Sequence, residues 1–181
     1  MENTCQSTSF KALLTTHFIS AFVDNLLRAV ISFYAISVLP SSEAATRYVS
    51  FVGVLYILPF VIFSPIAGYL ADRFSKRTII IVMGAVKTVL ALLAVWSLWV
   101  GHLWSLCAVL FLFMAESAFF SPAKIGILPE MLKEEELSKG NGYAQLWTFT
   151  GLILGTAAGG MLYKIFHSHI YYIGLLMGLG H

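Results

Sequence analysis

GYLADRFSKR, residues 68–77, sets four charged side chains, Asp72, Arg73, Lys76 and Arg77, between two long apolar runs. Upstream lies FVGVLYILPFVIFSPIA at 51–67; downstream lies TIIIVMGAVKTVLALLAVW at 78–96. A short basic turn between two such runs is what a chain makes where it leaves a bilayer and re-enters it on the cytoplasmic side. The whole chain agrees. It is 59% hydrophobic and 11% charged, with a mean hydropathy of +0.84, whereas soluble domains carry about 25% charged residues. This is an integral membrane protein by composition. A net charge of +2 is too small to suggest a nucleic-acid partner.

A spanning helix needs roughly 20 mostly apolar residues. Five runs qualify, at about 12–39, 48–71, 78–100, 102–121 and 143–163. A sixth begins near Ile170 and stops at His181, before it can cross, so the chain reads as the front part of a longer protein. Cys5 and Cys107 make no disulfide framework. The polar N-terminus, without a basic n-region, does not resemble a cleavable signal.

The loops are short, so lysine and arginine asymmetry sets orientation. Lys11, Arg73, Lys76, Arg77, Lys124, Lys133 and Lys139 fall on one side, Arg47 and Lys164 on the other. The first side, with the N-terminus, is expected to be cytoplasmic. Trp96, Trp99 and Trp104 cluster at the outer interface as anchors. Residues 122–142 form a longer inner loop. Pro129 at N1, Glu130 in the first turn and Lys139-Gly140 at the end predict a short helix. Leu128, Met131, Leu132 and Leu137 give it an apolar side to lay along the inner leaflet, and Lys133-Glu134-Glu135-Glu136 a solvated one.

Helix one carries FVDNLLRAVISF, 22–33. His17, Ser20, Asp24, Arg28 and Ser32 recur at helical spacing and make one polar stripe. Phe18, Ile19, Phe22, Leu26, Val30 and Phe33 cover the rest, which reads as the lipid side. A charge at bilayer centre costs at least about 2.5–3.5 kcal/mol, so the stripe must face a bundle interior or a cavity. Asp24 and Arg28, four apart with the acid first, can neutralise each other as a plain ion pair. That pair leaves Asn25 unexplained. It also leaves Lys87 in helix three and Glu116-Ser117 in helix four unexplained. Charges on three helices point to a shared polar cavity of the kind a solute pathway needs. In helix five, Gly151, Gly155, Gly159 and Gly160 form a small-residue ridge for close helix contact.

Gly68, Leu70, Asp72, Arg73, Lys76 and Arg77 resemble the signature G-x-L-x-D-R-x-G-R/K-R/K between spans two and three of the major facilitator superfamily, with Ser75 in place of the second glycine. GLILGTAAGG at 151–160 resembles that family's fifth-helix motif, with Thr156 where a proline usually stands. FISAFVDNLLR (18–28), FFSPAKIGILPEML (119–132) and KGNGYAQLWTFTGLILGTAAGGML (139–162) are together similar to the lysophospholipid transporter branch, and Lys87 resembles a helix-three lysine of that branch.

The resemblance implies the N-terminal six-helix half of an all-α, twelve-helix transporter, with its sixth helix incomplete and its site near midplane between the halves. It implies that Asp72, Arg73 and Arg77, with Gly68 and Lys76 of the same motif, serve the inner gate. The implied function is movement of a lysophospholipid, notably lysophosphatidylethanolamine, from the outer to the inner leaflet of a bacterial inner membrane for reacylation. Asp24 with Asn25 suits the headgroup ammonium. Lys124 suits the phosphate, with Lys87 in reserve; Arg28 and Glu116 complete the expected substrate-binding set. Alternatives are transport of another small solute by the same fold, a membrane domain fused to or associated with an acyltransferase and acyl-carrier-protein ligase, or a half-protein that assembles with a partner. The expected partners are the bilayer, a lipid or small-molecule substrate and the missing C-terminal half. No catalytic residue, cofactor or metal is expected. His167 and His169 read as plain loop histidines, and His17 as a stripe residue.

Overall fold

The computed structural model describes residues 8–166. Its elements are α1 (Thr8–Val38), α2 (Ser42–Arg73), α3 (Lys76–Val100), α4 (Leu103–Gly126), the short α5 (Leu128–Met131) and α6 (Glu134–Phe166). Among the described residues, five helical stretches are long and apolar enough to cross a membrane, α4 counting together with α5. Cys5, the histidines at 167 and 169 and the expected sixth span at 170–181 lie outside the described residues.

Each boundary has a local cause. Ser41 caps α2, its Oγ accepting from the amide of Ala44 at 3.2 Å, and Glu43 sits in the first turn. α2 therefore starts six residues before the apolar run does. Its buried Pro59 and its Pro65 are absorbed within the helix. Gly101 ends α3 at φ 69°. Its carbonyl accepts from the Tyr34 hydroxyl at 2.8 Å, and an added Cβ would lie 2.8 Å from that same hydroxyl. The left-handed turn and the close tyrosine both demand glycine there.

The helices alternate up and down. At one end Tyr34 reaches the α3–α4 turn, and the Tyr48 hydroxyl donates to the carbonyl of Leu103 at 2.6 Å. At the other, Phe10, Leu13 and Leu14 of α1 pack on Leu128 and Leu132. α1 packs most heavily on α6, and also touches α2 and α4; α2 and α3 pack on α4. The main core joins Leu27, Val30 and Ile31 of α1 to Val52, Leu90, Leu98, Leu106, Leu110 and Phe113 from the other three.

Two expectations are corrected. The surface helix ending at Lys139-Gly140 does not exist as a separate element. Only Leu128–Met131 is a short helix, with Pro129 in its first turn as expected. A continuous helix then runs from Glu134, where three successive acids favour a helix start. Gly140 is buried inside that helix, and a Cβ there would lie 2.1 Å from Leu132 Cδ1. Gly140 thus sits at a close side-chain contact and not at a helix end. The apolar side of this region is covered by α1 and not by the leaflet.

The second correction concerns the lipid side assigned to α1. Leu26 and Val30 are 8% and 1% exposed. The glycine ridge of α6 lies on this face. A Cβ at Gly151 would approach the carbonyl oxygen of Phe18 to 2.5 Å, at Gly155 that of Phe22 to 2.3 Å, and at Gly159 that of Leu26 to 2.9 Å. A Cβ at Gly160 would lie 3.2 Å from the Phe33 ring. Both series step by four, so one ridge follows the other along the crossing. Ile19 and Phe33 remain exposed.

Candidate functional site

The α1 stripe turns inward. His17, Ser20 and Asp24 are 3%, 6% and 7% exposed. α3 brings Lys87 to this face and α4 brings Glu116 and Ser117. Lys87 Nζ lies 2.9 Å from Asp24 Oδ1 and 3.0 Å from Glu116 Oε2. It donates to Ser20 Oγ at 2.9 Å and to Ser117 Oγ at 3.0 Å. Ser117 in turn donates to Asp24 Oδ2 at 2.8 Å. Although Asp24 Oδ1 is close to the ammonium, it has no hydrogen bond of good geometry, so charge holds that contact more than directed bonding does. The rings of Phe113 and Phe120 stand 5.9 and 6.0 Å from Nζ. Three helices thus converge on one ammonium bracketed by two acids.

This overturns the self-contained Asp24–Arg28 pair. Arg28 places its guanidinium 5.0 Å from the centre of the Tyr56 ring on α2, and its buried Nε has no hydrogen-bond partner. An ion pair at i, i+4 on a helix surface contributes only about 0.2–0.5 kcal/mol, too little to hold Asp24 against a buried ammonium. Here the acid meets Lys87 across the bundle. Lys87 is correspondingly not a spare cation: two carboxylates already hold it.

Asn25, 3% exposed, donates to the carbonyl of Ala21 at 2.8 Å, and Tyr56 also lies against it. Lys124, in the last turn of α4, sits 5.3 Å from the Phe120 ring and within electrostatic reach of Asp24, Lys87 and Glu116. His17 Nδ1 is 3.1 Å from Thr148 Oγ1 of α6, which ties the stripe to that helix. The ring also lies near the backbone of Lys124, but its Nε2 has no hydrogen bond of good geometry. Sequence reasoning missed Tyr56, Thr148, Phe113 and Phe120. A lone hydroxyl tip within an apolar run was the one signal for Tyr56; the phenylalanines carried none.

The charged α2–α3 loop lies at the far end of the bundle from Gly101. Asp72, Arg73 and Arg77 are exposed. Arg73 Nη1 donates to the Tyr69 hydroxyl at 2.7 Å. Lys76 pairs with Glu130 of α5. A Cβ at Gly68 meets nothing within 4 Å, so no described neighbour requires glycine there.

The Major Facilitator Superfamily profile matches residues 13–180. A protein of Yersinia pestis (strain Pestoides F) named lysophospholipid transporter LplT is 33% identical over 159 residues, 86% of this chain and 36% of that protein. Proteins of the same name from Yersinia pseudotuberculosis serotypes O:3 (strain YPIII) and I (strain IP32953) match to the same extent. The chain thus spans about a third of the length of these curated relatives. No solved structure matches it significantly.

Proposed function

The chain belongs to the major facilitator superfamily, and from that premise we propose that the protein carrying it moves a lysophospholipid across a bacterial inner membrane, from the outer to the inner leaflet. The observation that carries the reading is the buried Asp24–Lys87–Glu116 cluster, within a segment that resembles proteins named lysophospholipid transporters. A zwitterionic headgroup brings its own ammonium and phosphate. Its ammonium competes with Lys87 for Asp24, beside Asn25, and the displaced lysine is then available to an anion. Lys124 and Arg28 receive the phosphate. The exchange conserves charge, so neither acid is left bare at any step. That matters because removing one partner of a buried ion pair costs about 3–5 kcal/mol. Asp72, Arg73 and Arg77, with Gly68 in the same motif, serve the inner gate, facing the half of the transporter that follows this chain.

Uptake tests the substrate. Vesicles containing the full-length protein are loaded in their outer leaflet with lysophosphatidylethanolamine bearing a labelled acyl chain. The label is expected to become resistant to extraction by albumin several-fold faster than in empty vesicles. Extraction identical to that of empty vesicles overturns the lipid reading and favours a different small solute on the same fold.

Orientation has its own test. The helix ends carrying Lys11, Arg73, Lys76, Arg77, Lys124, Lys133 and Lys139 gather on one side, with Arg47 and Lys164 opposite, which supports a cytoplasmic N-terminal side on the positive-inside rule. Single cysteines at Ser75 and Ser42, both exposed, are expected to react with an impermeant maleimide from the inside and from the outside respectively. Labelling of both from the outside overturns the orientation.

A further inference from the structure

The Thr148 hydroxyl has a single proton and donates it to the carbonyl of Ala144 at 2.8 Å. It can therefore only accept from His17 Nδ1, 3.1 Å away. This sets the tautomer of the neutral ring: the proton is on Nδ1, and Nε2 is a bare acceptor. His17 is 3% exposed, and Nε2 has no hydrogen-bond partner. Leaving a buried acceptor in that condition is costly.

The ring lies near the backbone of Lys124, in the last turn of α4. The last carbonyls of a helix lack partners within it, and the cap amide of α4 serves those of Ala123 and Ile125. A bare nitrogen gains nothing from a carbonyl. A protonated one donates to it, and sets a positive charge at a helix C-terminus, where cations are favoured.

One charge opposes that proton. The Lys124 ammonium faces the ring from α4. Among the described residues, ion pairs are made by Arg47, Lys76 and Lys87 and not by Lys124, which rests on the Phe120 ring. α6 carries no charged residue between Lys139 and Lys164. On α1, Lys11 is exposed, Arg28 lies on Tyr56, and Asp24, two turns away, is held by Lys87 of α3. Glu130 of α5 is held by Lys76, and Asp72 of α2 is exposed. A phosphate on Lys124 therefore cancels the charge that opposes the proton.

We propose that His17 and Lys124 form one unit that binds a phosphodiester monoanion together with a proton. The anion meets the Lys124 ammonium. A hydronium ion gives its proton to Nε2, and the new N–H bond points to the end of α4. This rests on the reading of Lys124 as a phosphate residue. By linkage, an anion that favours the proton is favoured by it equally, so binding tightens as pH falls.

Two probes test this with the full-length protein: lysophosphatidylethanolamine, and dimethyl phosphate, a free phosphodiester without the acyl chain or the ammonium. Binding is measured at about pH 7.5 and about pH 5.5, across the range in which histidine titrates. The parent should bind both probes at least about fivefold more tightly at the lower pH, the low end of a typical coupling. It should also take up protons from weakly buffered solution as dimethyl phosphate is added. His17→Gln, whose amide can still donate to Thr148, should bind each probe equally at the two pH values. Equal affinity of the parent at both pH values overturns the unit, as does a pH dependence that His17→Gln retains. Should that variant fail to fold, the proton uptake of the parent decides, and its absence overturns the unit. Dimethyl phosphate bound with the expected pH dependence, but no lipid bound, upholds the unit and overturns the lipid reading. Lipid bound without pH dependence does the opposite, and binding of neither probe overturns both.

Discussion

Asp24→Asn in the full-length protein is expected to lower lysophosphatidylethanolamine uptake by about 100-fold or more at matched membrane abundance. A hydrogen bond to a charged group contributes about 1.5–3 kcal/mol, and about 1.4 kcal/mol corresponds to tenfold. Removing the negative charge that receives the headgroup ammonium forfeits one to two such interactions. The fold should survive. The asparagine oxygen still accepts from Ser117 Oγ, now 2.8 Å from Asp24 Oδ2, and Lys87 keeps Glu116 at 3.0 Å. Arg28→Gln is the contrasting variant. Arg28 rests on Tyr56 and not on Asp24, so its loss removes a cation–π contact of about 0.5–2 kcal/mol and one candidate phosphate ligand. Its uptake defect should be the smaller of the two. Normal transport by Asp24→Asn, or failure that tracks degraded protein, makes Asp24 a structural acid whose role ends at Lys87.

Gly155→Ala should produce the largest loss of folded protein among glycine-to-alanine changes at the described residues. Alanine is favoured over glycine in a helix by about 1 kcal/mol, so helix propensity alone predicts a gain. The site predicts the reverse. The new Cβ would stand 2.3 Å from the carbonyl oxygen of Phe22 and 2.9 Å from its Cα. Those are backbone atoms, and no rotamer change relieves them. Overpacking of this kind typically costs 1–3 kcal/mol, and here the crossing of α1 and α6 must widen, which also moves the stripe. Gly84→Ala on α3 is the matched control, since its Cβ meets nothing within 4 Å. Thermal stability by size-exclusion should fall for Gly155→Ala and hold or rise for Gly84→Ala. Equal behaviour of the two would mean that α1 and α6 do not cross as closely as described.

Much of the fold was legible because the information is local. A bilayer demands about 20 apolar residues in sequence and rewards basic residues in the loops. Both can be read along the chain, and α1 to α4 fall where those runs lie. The glycine ridge at 151–160 was legible as a contact surface, though not which helix it met. The start of α6 was not. Lys139-Gly140 looks like a helix end by local rules, and the close contact of Leu132 with Gly140 becomes visible only when α5 and α6 are folded together.

The candidate site divides in the same way. From sequence alone came the stripe on α1, since its 3–4 spacing is a property of one helix, and the conclusion that Asp24, Lys87 and Glu116 cannot face lipid, since desolvating a charge is costly wherever it sits. Only the tertiary structure decided the pairing. Asp24 had a partner within reach on its own helix, and local geometry favoured Arg28. The packing of α4, antiparallel to both α1 and α3, instead brings an ammonium at 2.9 Å, a second acid and the Ser117 hydroxyl to the point where Asp24 and Ser20 already face, while Tyr56 draws the guanidinium away. Helical periodicity fixes which residues share a face. Which charge wins on that face depends on what the neighbouring helices bring to it, and no spacing along one helix contains that information.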